Sequence, residues 1–191
     1  WSSDVCSSDL EAMRGVSASG PVTATVRMRR TLASPTQNLR ATLRLNNNKL
    51  NVEGPMPAVT GLTGLVQIKD GMLTIKELAA SLEGQAFRMN GKYDLSSDAG
   101  GSFELKTRAA VQYWLNLAAR LTRRPAPDEQ WLERIAGRSD WTFKAEVSGD
   151  NDPLLSLSSS LKGITVDLPA FLAKPEEREA PFVAQIGRAH V

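Results

Sequence analysis

The fold is decided by residues 141–175, WTFKAEVSGDNDPLLSLSSSLKGITVDLPAFLAKP. In the first part of this stretch, polar residues alternate with the apolar residues Trp141, Phe143, Ala145 and Val147. This period of two is typical of a β-strand, because successive side chains of a strand point to opposite faces of its sheet. After the turn residues 149–153, leucines such as Leu155 and Leu157 alternate with serines. The two runs therefore predict an antiparallel hairpin.

Alternation of the same kind extends over most of the chain upstream. Asp70-Gly71 and Glu83-Gly84 separate alternating runs, and Asp-Gly favours a tight hairpin turn, since its central residues need positive φ. Asn46–Asn48 is predicted to be a further turn, because asparagine tolerates left-handed backbone. The small and polar residues from Glu11 to Gly20 predict a linker or a turn. The predicted strands begin near residues 22, 39, 50, 66, 73, 78, 87 and 103.

One segment has the period of a helix and not that of a strand. Apolar residues recur at i, i+3, i+4 and i+7 in Val111, Trp114, Leu115 and Ala118. Pro125 and Pro127 separate this helix from a second, shorter one, which carries Trp131, Leu132 and Ile135 on one side and stops at Gly137. The predicted fold class is therefore mostly β, an antiparallel meander forming a curved, groove-like sheet with two short amphipathic helices.

The apolar side of so large a sheet needs a cover. An antiparallel sheet with one dry face must bury that face, at a gain of about 25 cal/mol per Å2. Two short helices are too small to cover all the predicted strands. The sheet therefore closes on itself as a sandwich or barrel, or it stays an open trough whose apolar side is filled by another apolar substance. Acyl chains are such a substance, and large exposed apolar patches usually mark an interaction site.

Motifs in the last third of the chain resemble a known family. A tryptophan strand follows Gly-x-Ser, a leucine-rich strand leads into Ser-x-Leu-x-Gly, and Leu-Pro-x-x-Leu-x-Lys-Pro comes next. The residues concerned are Gly137, Ser139, Trp141, Leu157, Ser159, Leu161, Gly163, Leu168, Pro169, Leu172, Lys174 and Pro175. In these motifs the chain is similar to the C-terminal part of the YhdP branch of the AsmA-like proteins. The similarity covers roughly residues 15–185.

This resemblance implies a segment of a periplasmic bridge that is anchored in the inner membrane of Gram-negative bacteria. An apolar β-groove in such proteins is implicated in phospholipid transport to the outer membrane, which supports outer-membrane integrity. The expected partners are phospholipid acyl chains and neighbouring strands of the same parent chain. Membrane contact is expected through other parts of the parent.

Eleven apolar residues on alternating positions are the candidates for lining such a groove. They are Val26, Leu43, Val66, Ile68, Phe87, Leu105, Trp141, Phe143, Val147, Leu155 and Leu157. For Trp141, a place in a closed core and a place in the groove lining stay open. The alternative function is a structural β-sandwich scaffold that binds envelope proteins, through the arginines of the first two strands.

Both ends of the chain resemble translated sequencing-library adapter. WSSDVCSSDL at residues 1–10 and IGRAHV at residues 186–191 correspond to reading frames of two complementary adapters. We therefore expect both ends to be artefacts, and residues 11–185 to be a segment of an AsmA-like, YhdP-type β-groove domain. The chain's one cysteine, Cys6, and one histidine, His190, fall in these ends. No run approaches the ~18 apolar residues of a membrane span, so the anchor is expected elsewhere in the parent.

The remaining composition argues against several kinds of chemistry. Without histidine or cysteine, residues 11–185 offer no Ser-His triad, no thiol nucleophile and no His/Cys zinc site. Ser159-Ser-Leu-Lys162 fits the S-x-x-K pattern of serine acyl enzymes, but that motif opens a helix and this one ends a strand. The formal net charge of +2 is ordinary. We expect no enzymatic activity, no cofactor, no metal and no nucleic-acid partner.

Overall fold

The computed structural model describes residues 15–30, 37–54, 56–95, 100–125, 128–148, 151–169 and 173–186. Strands occupy most of this part of the chain. They are β1 (Val16–Ser19), β2 (Val22–Arg30), β3 (Gln37–Val52), β4 (Val59–Lys69), β5 (Met72–Leu82), β6 (Gln85–Asp94), β7 (Gly100–Ala109), β8 (Ile135–Gly137), β9 (Ser139–Ser148), β10 (Asn151–Ser159), β11 (Ile164–Val166) and β12 (Phe182–Ile186). The helix α1 (Val111–Leu121) lies between β7 and β8.

Ten of these strands form one antiparallel sheet in the order β1-β3-β4-β5-β6-β7-β9-β10-β12, with β2 pairing the other half of β3. Neighbours in the sheet are mostly neighbours in sequence, so the topology is a meander. The sheet is not closed into a barrel. The prediction of a mostly β, antiparallel meander is therefore confirmed. The short strands β8 and β11 form a separate two-stranded sheet.

Two segments predicted to lie outside strands belong to them. β3 runs unbroken through Asn46–Asn48, where its pairing with β4 shifts register. Asn47 has a φ of 55°, and the Asn46 N–H donates to Asn48 Oδ1 at 2.8 Å, so these residues form a bulge. The predicted linker contains β1, which pairs with the second half of β3. Both predictions are wrong because pairing with a distant strand overrides the local preference for a turn.

The prediction of two helices is wrong for the second one. α1 forms where predicted, although Ala118, which the spacing placed on the buried side, is exposed. The second predicted helix is a single turn, Glu129–Leu132. Ile135 and Gly137 belong instead to β8, which pairs antiparallel with β11. So short a segment makes a poor helix on its own, and pairing with β11 satisfies its backbone instead.

The hydrophobic core lies at one end of the large sheet. In the described part of the chain, the buried hydrophobic residues are Leu78, Ala80, Ala109, Leu117, Ala119, Trp141 and Ile164. They belong to α1, to β11 and to the adjoining portions of β5, β7 and β9. The opposite end of these strands has no buried hydrophobic side chain among the residues described. The sheet therefore has a packed end and an open end.

The chain beyond β11 is fastened to the packed end by Lys174. Its backbone exchanges two hydrogen bonds with Val166, at 2.9 and 3.1 Å. Its side chain is only 8% exposed, and Nζ donates to the carbonyl oxygens of Ile164 at 2.6 Å and Pro175 at 3.3 Å. Ile164 is itself 1% exposed. The buried ammonium therefore satisfies main-chain carbonyls beside the small sheet.

Replacing Lys174 with methionine is expected to lower the free energy of unfolding by about 1–3 kcal/mol, because the buried Ile164 carbonyl loses its charged donor. The urea midpoint of the chain measures this loss. Lys162→Met is the matched control, since Lys162 is exposed and its ion pair with Glu179 is exposed as well, and its effect is expected within about 0.5 kcal/mol. Equal midpoints for the two variants would show that the buried bond contributes nothing.

Candidate functional site

One face of the large sheet carries most of its apolar side chains, in rows that cross the strands. The first row is Val26, Ala41, Ile68, Leu73, Tyr93, Gly101 and Val147. The second row is Ala24, Leu43, Val66, Ile75, Gly91, Phe103, Ala145 and Leu155. The third contains Leu78, Met89, Leu105, Phe143, Leu157 and Ala184. The fourth contains Ala80, Phe87, Thr107, Trp141, Ser159 and Phe182.

We call this side of the sheet the apolar face, and the other side the polar face. The register places all eleven candidate residues on the apolar face. By row, they are Val26, Ile68 and Val147, then Leu43, Val66 and Leu155, then Leu105, Phe143 and Leu157, and finally Phe87 and Trp141. Residues that are distant in sequence are thus brought together in one continuous surface.

Most of this surface is half-buried. Ile68, Val66 and Phe143 are of intermediate exposure, as are most of their neighbours in the first three rows. Val26, on the edge strand β2, is 61% exposed. In the described part of the chain, no residue of the first two rows is buried.

Two glycines shape the floor of the apolar face. A Cβ at Gly91 would collide with the ring of Phe103, and a Cβ at Gly101 would collide with the Lys92 carbonyl oxygen and with the backbone and ring of Tyr93. Each glycine lies directly opposite the aromatic residue in the neighbouring strand. The two rings are stacked, with centroids 6.5 Å apart. The glycines therefore let the rings of Phe103 and Tyr93 lie against the backbone of the neighbouring strand, and the two rings form an aromatic patch on the apolar face.

Helix α1 lies over Trp141 in the fourth row. The ring centroid of Trp141 lies 5.8 Å from that of Trp114 and 5.9 Å from that of Phe182. Trp141 Nε1 also donates to the Ala109 carbonyl at 3.0 Å. With 4% exposure, Trp141 is a core residue beneath α1 and not an open lining residue.

Polar contacts fasten α1 to the turn between β5 and β6. Arg120 forms a two-pronged ion pair with Glu83, and the Tyr113 hydroxyl donates to the Leu82 carbonyl at 3.3 Å. The hydrogen bond from Arg120 holds the pKa of Glu83 below its ordinary value, and burial raises the pKa of Tyr113. The ion pair is exposed, so it orients the helix more than it stabilises it.

The polar face carries exposed charges, and on β7 and β9 they are balanced. Lys106 Nζ lies 2.8 Å from a Glu104 carboxylate oxygen, and Lys144 Nζ lies 3.9 Å from the other. The hydrogen bond from Lys106 lowers the pKa of Glu104. This part of the polar face is typical of a solvated sheet surface.

The serine and lysine of the S-x-x-K pattern are engaged separately. Ser159 Oγ lies 3.0 Å from Ser139 Oγ and accepts the Leu161 N–H, while Lys162 pairs with Glu179 at 3.4 Å. Ser159 therefore has no lysine base beside it. Among the residues described, no group of three or more histidine, cysteine or acidic side chains is placed to hold a metal ion.

A family comparison identifies the chain. A model of the YhdP protein family matches residues 3–189, which is nearly the whole length of the chain. The chain belongs to the YhdP family. Comparisons with curated proteins and with solved structures found no match. The resemblance drawn from the sequence is therefore confirmed, while the adapter origin expected for the two ends stays a prediction.

The YhdP family is not a known enzyme family. In this YhdP-family chain, no helix within the described ranges is long and apolar enough to cross a membrane. Sequence reasoning did not predict β12, which contributes Phe182 to the cluster around Trp141. The signal was the alternation of Phe182, Ala184 and Ile186, but Ile186 falls in the end that we expect to be an artefact.

Proposed function

We propose that this chain is a non-enzymatic segment of an envelope-spanning protein, and that its apolar face carries phospholipid acyl chains between the inner and outer membranes. On this proposal the segment lies in the periplasm, and other parts of the parent anchor it in the inner membrane. Neighbouring strands of the parent extend the apolar face beyond β2 and β12. Transport along it supports outer-membrane integrity.

The observation that carries this proposal is the half-exposed apolar face. In a sandwich, a second sheet would bury Ile68, Val66 and Phe103 almost completely, because facing sheets interdigitate their side chains. These residues remain half-exposed, and within the described ranges the buried hydrophobic residues lie at the packed end. Exposed apolar area of this extent favours an apolar ligand, at about 25 cal/mol for each Å2 covered.

The openness of the first two rows supports one direction for the lipid path. No residue of these two rows whose burial is described is buried, whereas Leu78 in the third row is 3% exposed and Trp141 in the fourth row packs against the rings of Trp114 and Phe182. An acyl chain that crosses the strands along the first two rows meets only apolar or glycine positions, and it bypasses the packed end. The path on this proposal therefore runs roughly perpendicular to the strands.

Photo-crosslinking in the full-length protein tests this function. A photoreactive amino acid is placed at single positions along residues 65–69 and 141–147. We expect lipid adducts at Val66, Ile68, Phe143 and Val147, and none at Gln67 or Lys144 on the polar face. Position 141 is expected to crosslink within the protein, because α1 covers Trp141.

The absence of lipid adducts would contradict the proposal. If no position captures lipid while the apolar positions crosslink within the protein, the apolar face is a closed core in the cell. The scaffold function would then replace the conduit. Adducts at apolar and polar positions alike would indicate unspecific contact with membrane, and would also count against the proposal.

A further inference from the structure

We propose that the polar face of β2 to β5 is a docking surface for an acidic protein segment. The surface, which we call the basic patch, consists of Arg27, Arg40, Arg44, Lys69 and Lys76. It lies on the side of the sheet opposite the apolar face. This inference therefore stands apart from lipid transport.

Charge is segregated in this part of the molecule. The strands β2, β3 and β4 contain no aspartate or glutamate. Their basic residues are Arg27, Arg29, Arg30, Arg40, Arg44, Lys49 and Lys69. The whole chain, by contrast, has 23 basic and 21 acidic residues. The imbalance is thus local to one end of the sheet.

The strand register assembles the patch from residues that are distant in sequence. Arg27 lies directly opposite Arg40, and Arg40 lies directly opposite Lys69, so three cations stand in one row. A second row places Arg44 and Lys76 on either side of Leu65. All five basic side chains are exposed. In the sequence they appear only as isolated basic residues on alternating positions.

In the register, the row of three cations continues through Met72 to Asp94, so the carboxylate in this row is two strands away from Lys69. None of the five residues of the basic patch takes part in an ion pair with the residues described, whereas Lys106 and Lys144 on the same face share Glu104. Like charges directly opposite each other on neighbouring strands destabilise a sheet. Protection of a sheet edge explains charge on β2, but β3, β4 and β5 are interior strands. The repulsion inside the sheet is best explained by an external anion.

The chemistry of the patch favours carboxylates of a protein. Guanidinium groups bind carboxylates in a planar, two-pronged way. The row between the two cationic rows is polar, and its side chains can form hydrogen bonds with a peptide backbone. It consists of Thr25, Thr42, Gln67 and Thr74. The patch has no aromatic residue to enter a bilayer, which a membrane-binding surface usually has.

The spacing also fits an extended peptide. Arg40 and Arg44 are four positions apart on one strand, so the two cationic rows are about 13 Å apart. In an extended acidic segment that runs along the strands, every second side chain faces the sheet. Carboxylates four positions apart then reach the two cationic rows. A segment with acidic residues at alternating positions would therefore engage both rows.

The test uses the full chain and a fluorescein-labelled peptide of six Glu-Ser repeats. Fluorescence anisotropy at low salt is expected to show saturable binding that weakens as salt rises. The triple variant R27Q/R40Q/K69Q is expected to bind at least tenfold more weakly. Its matched control, R88Q/K106Q/K144Q, removes three charges from the same face at β6 to β9 and is expected to change the affinity less than twofold.

Measurements of stability, vesicle binding and self-association distinguish loss of the docking surface from other causes of weaker binding. The urea midpoint must match that of the wild type, and if the triple variant fails to fold, R44Q/K76Q replaces it with the same expectation. Equal losses in patch and control variants, or no binding to the wild type, would overturn the proposal. Stronger binding to phosphatidylglycerol vesicles that displaces the peptide would overturn it in favour of a membrane surface. Self-association abolished by the patch variant would overturn it in favour of a second copy of the chain.

Discussion

Replacing Trp141 with alanine is expected to lower the free energy of unfolding by about 3–5 kcal/mol, a larger loss than that expected for Lys174→Met. The indole is 4% exposed and contacts the rings of Trp114 and Phe182. Its removal leaves a cavity under α1, at the end of the sheet that contains the core. Urea denaturation measures the loss as a lower midpoint with an unchanged slope.

Trp141→Phe separates packing from hydrogen bonding at this position. It keeps a ring beside Trp114 but loses the donor to the Ala109 carbonyl, so we expect a smaller loss of about 1 kcal/mol. If both substitutions cost the same, the hydrogen bond and not the ring packing stabilises this end. If neither costs more than about 1 kcal/mol, α1 does not depend on the tryptophan cluster, and the assignment of the core is wrong.

Ile68→Glu is expected to reduce lipid capture on the order of a hundredfold while leaving the chain folded. A carboxylate in an acyl environment costs about 2.5–3.5 kcal/mol, which disfavours lipid at that position. Ile68 lies in the open first row, so its carboxylate stays hydrated when no lipid is present, and stability changes little. The measurement is lipid crosslinking at Val147, a position in the same row, together with the urea midpoint.

Gln67→Glu is the matched control, because it adds the same charge one residue away on the polar face. It should leave lipid capture unchanged, and it should not lower stability, because its carboxylate lies between the two cationic rows of the basic patch. If Ile68→Glu unfolds the chain, Ile68 is a core residue and the apolar face is closed. If it folds and still captures lipid normally, the acyl path does not cross the first row.

The strands were predictable because one side of each strand faces water and the other side faces apolar groups. In β2 and β9, for example, the alternation of apolar and polar residues shows which side faces water. Since a strand has a period of two, the same alternation predicts that all eleven candidate residues share a face once the strands pair in order. That arrangement is the one seen in the rows of the apolar face.

The failures share one cause. Asn46–Asn48 and the segment around Ile135 were judged by local preference, but each is held in a strand by a partner that is distant in sequence. Asparagine suits a bulge as well as a turn, because both accept positive φ. The burial of Trp141 was equally undetermined, since its alternation is the same whether α1 lies over it or not.

The sequence by itself determined most strands of the large sheet, the two faces of those strands and the membership of the YhdP family, because these depend on patterns of neighbouring residues. Only the tertiary structure decided that the sheet stays open, that the core is confined to the end under α1, and that Arg27, Arg40 and Lys69 stand in one row. The physical reason is register. Which residues face each other across strands depends on turns and bulges along the whole meander, and a shift of one residue would move every side chain to the other face.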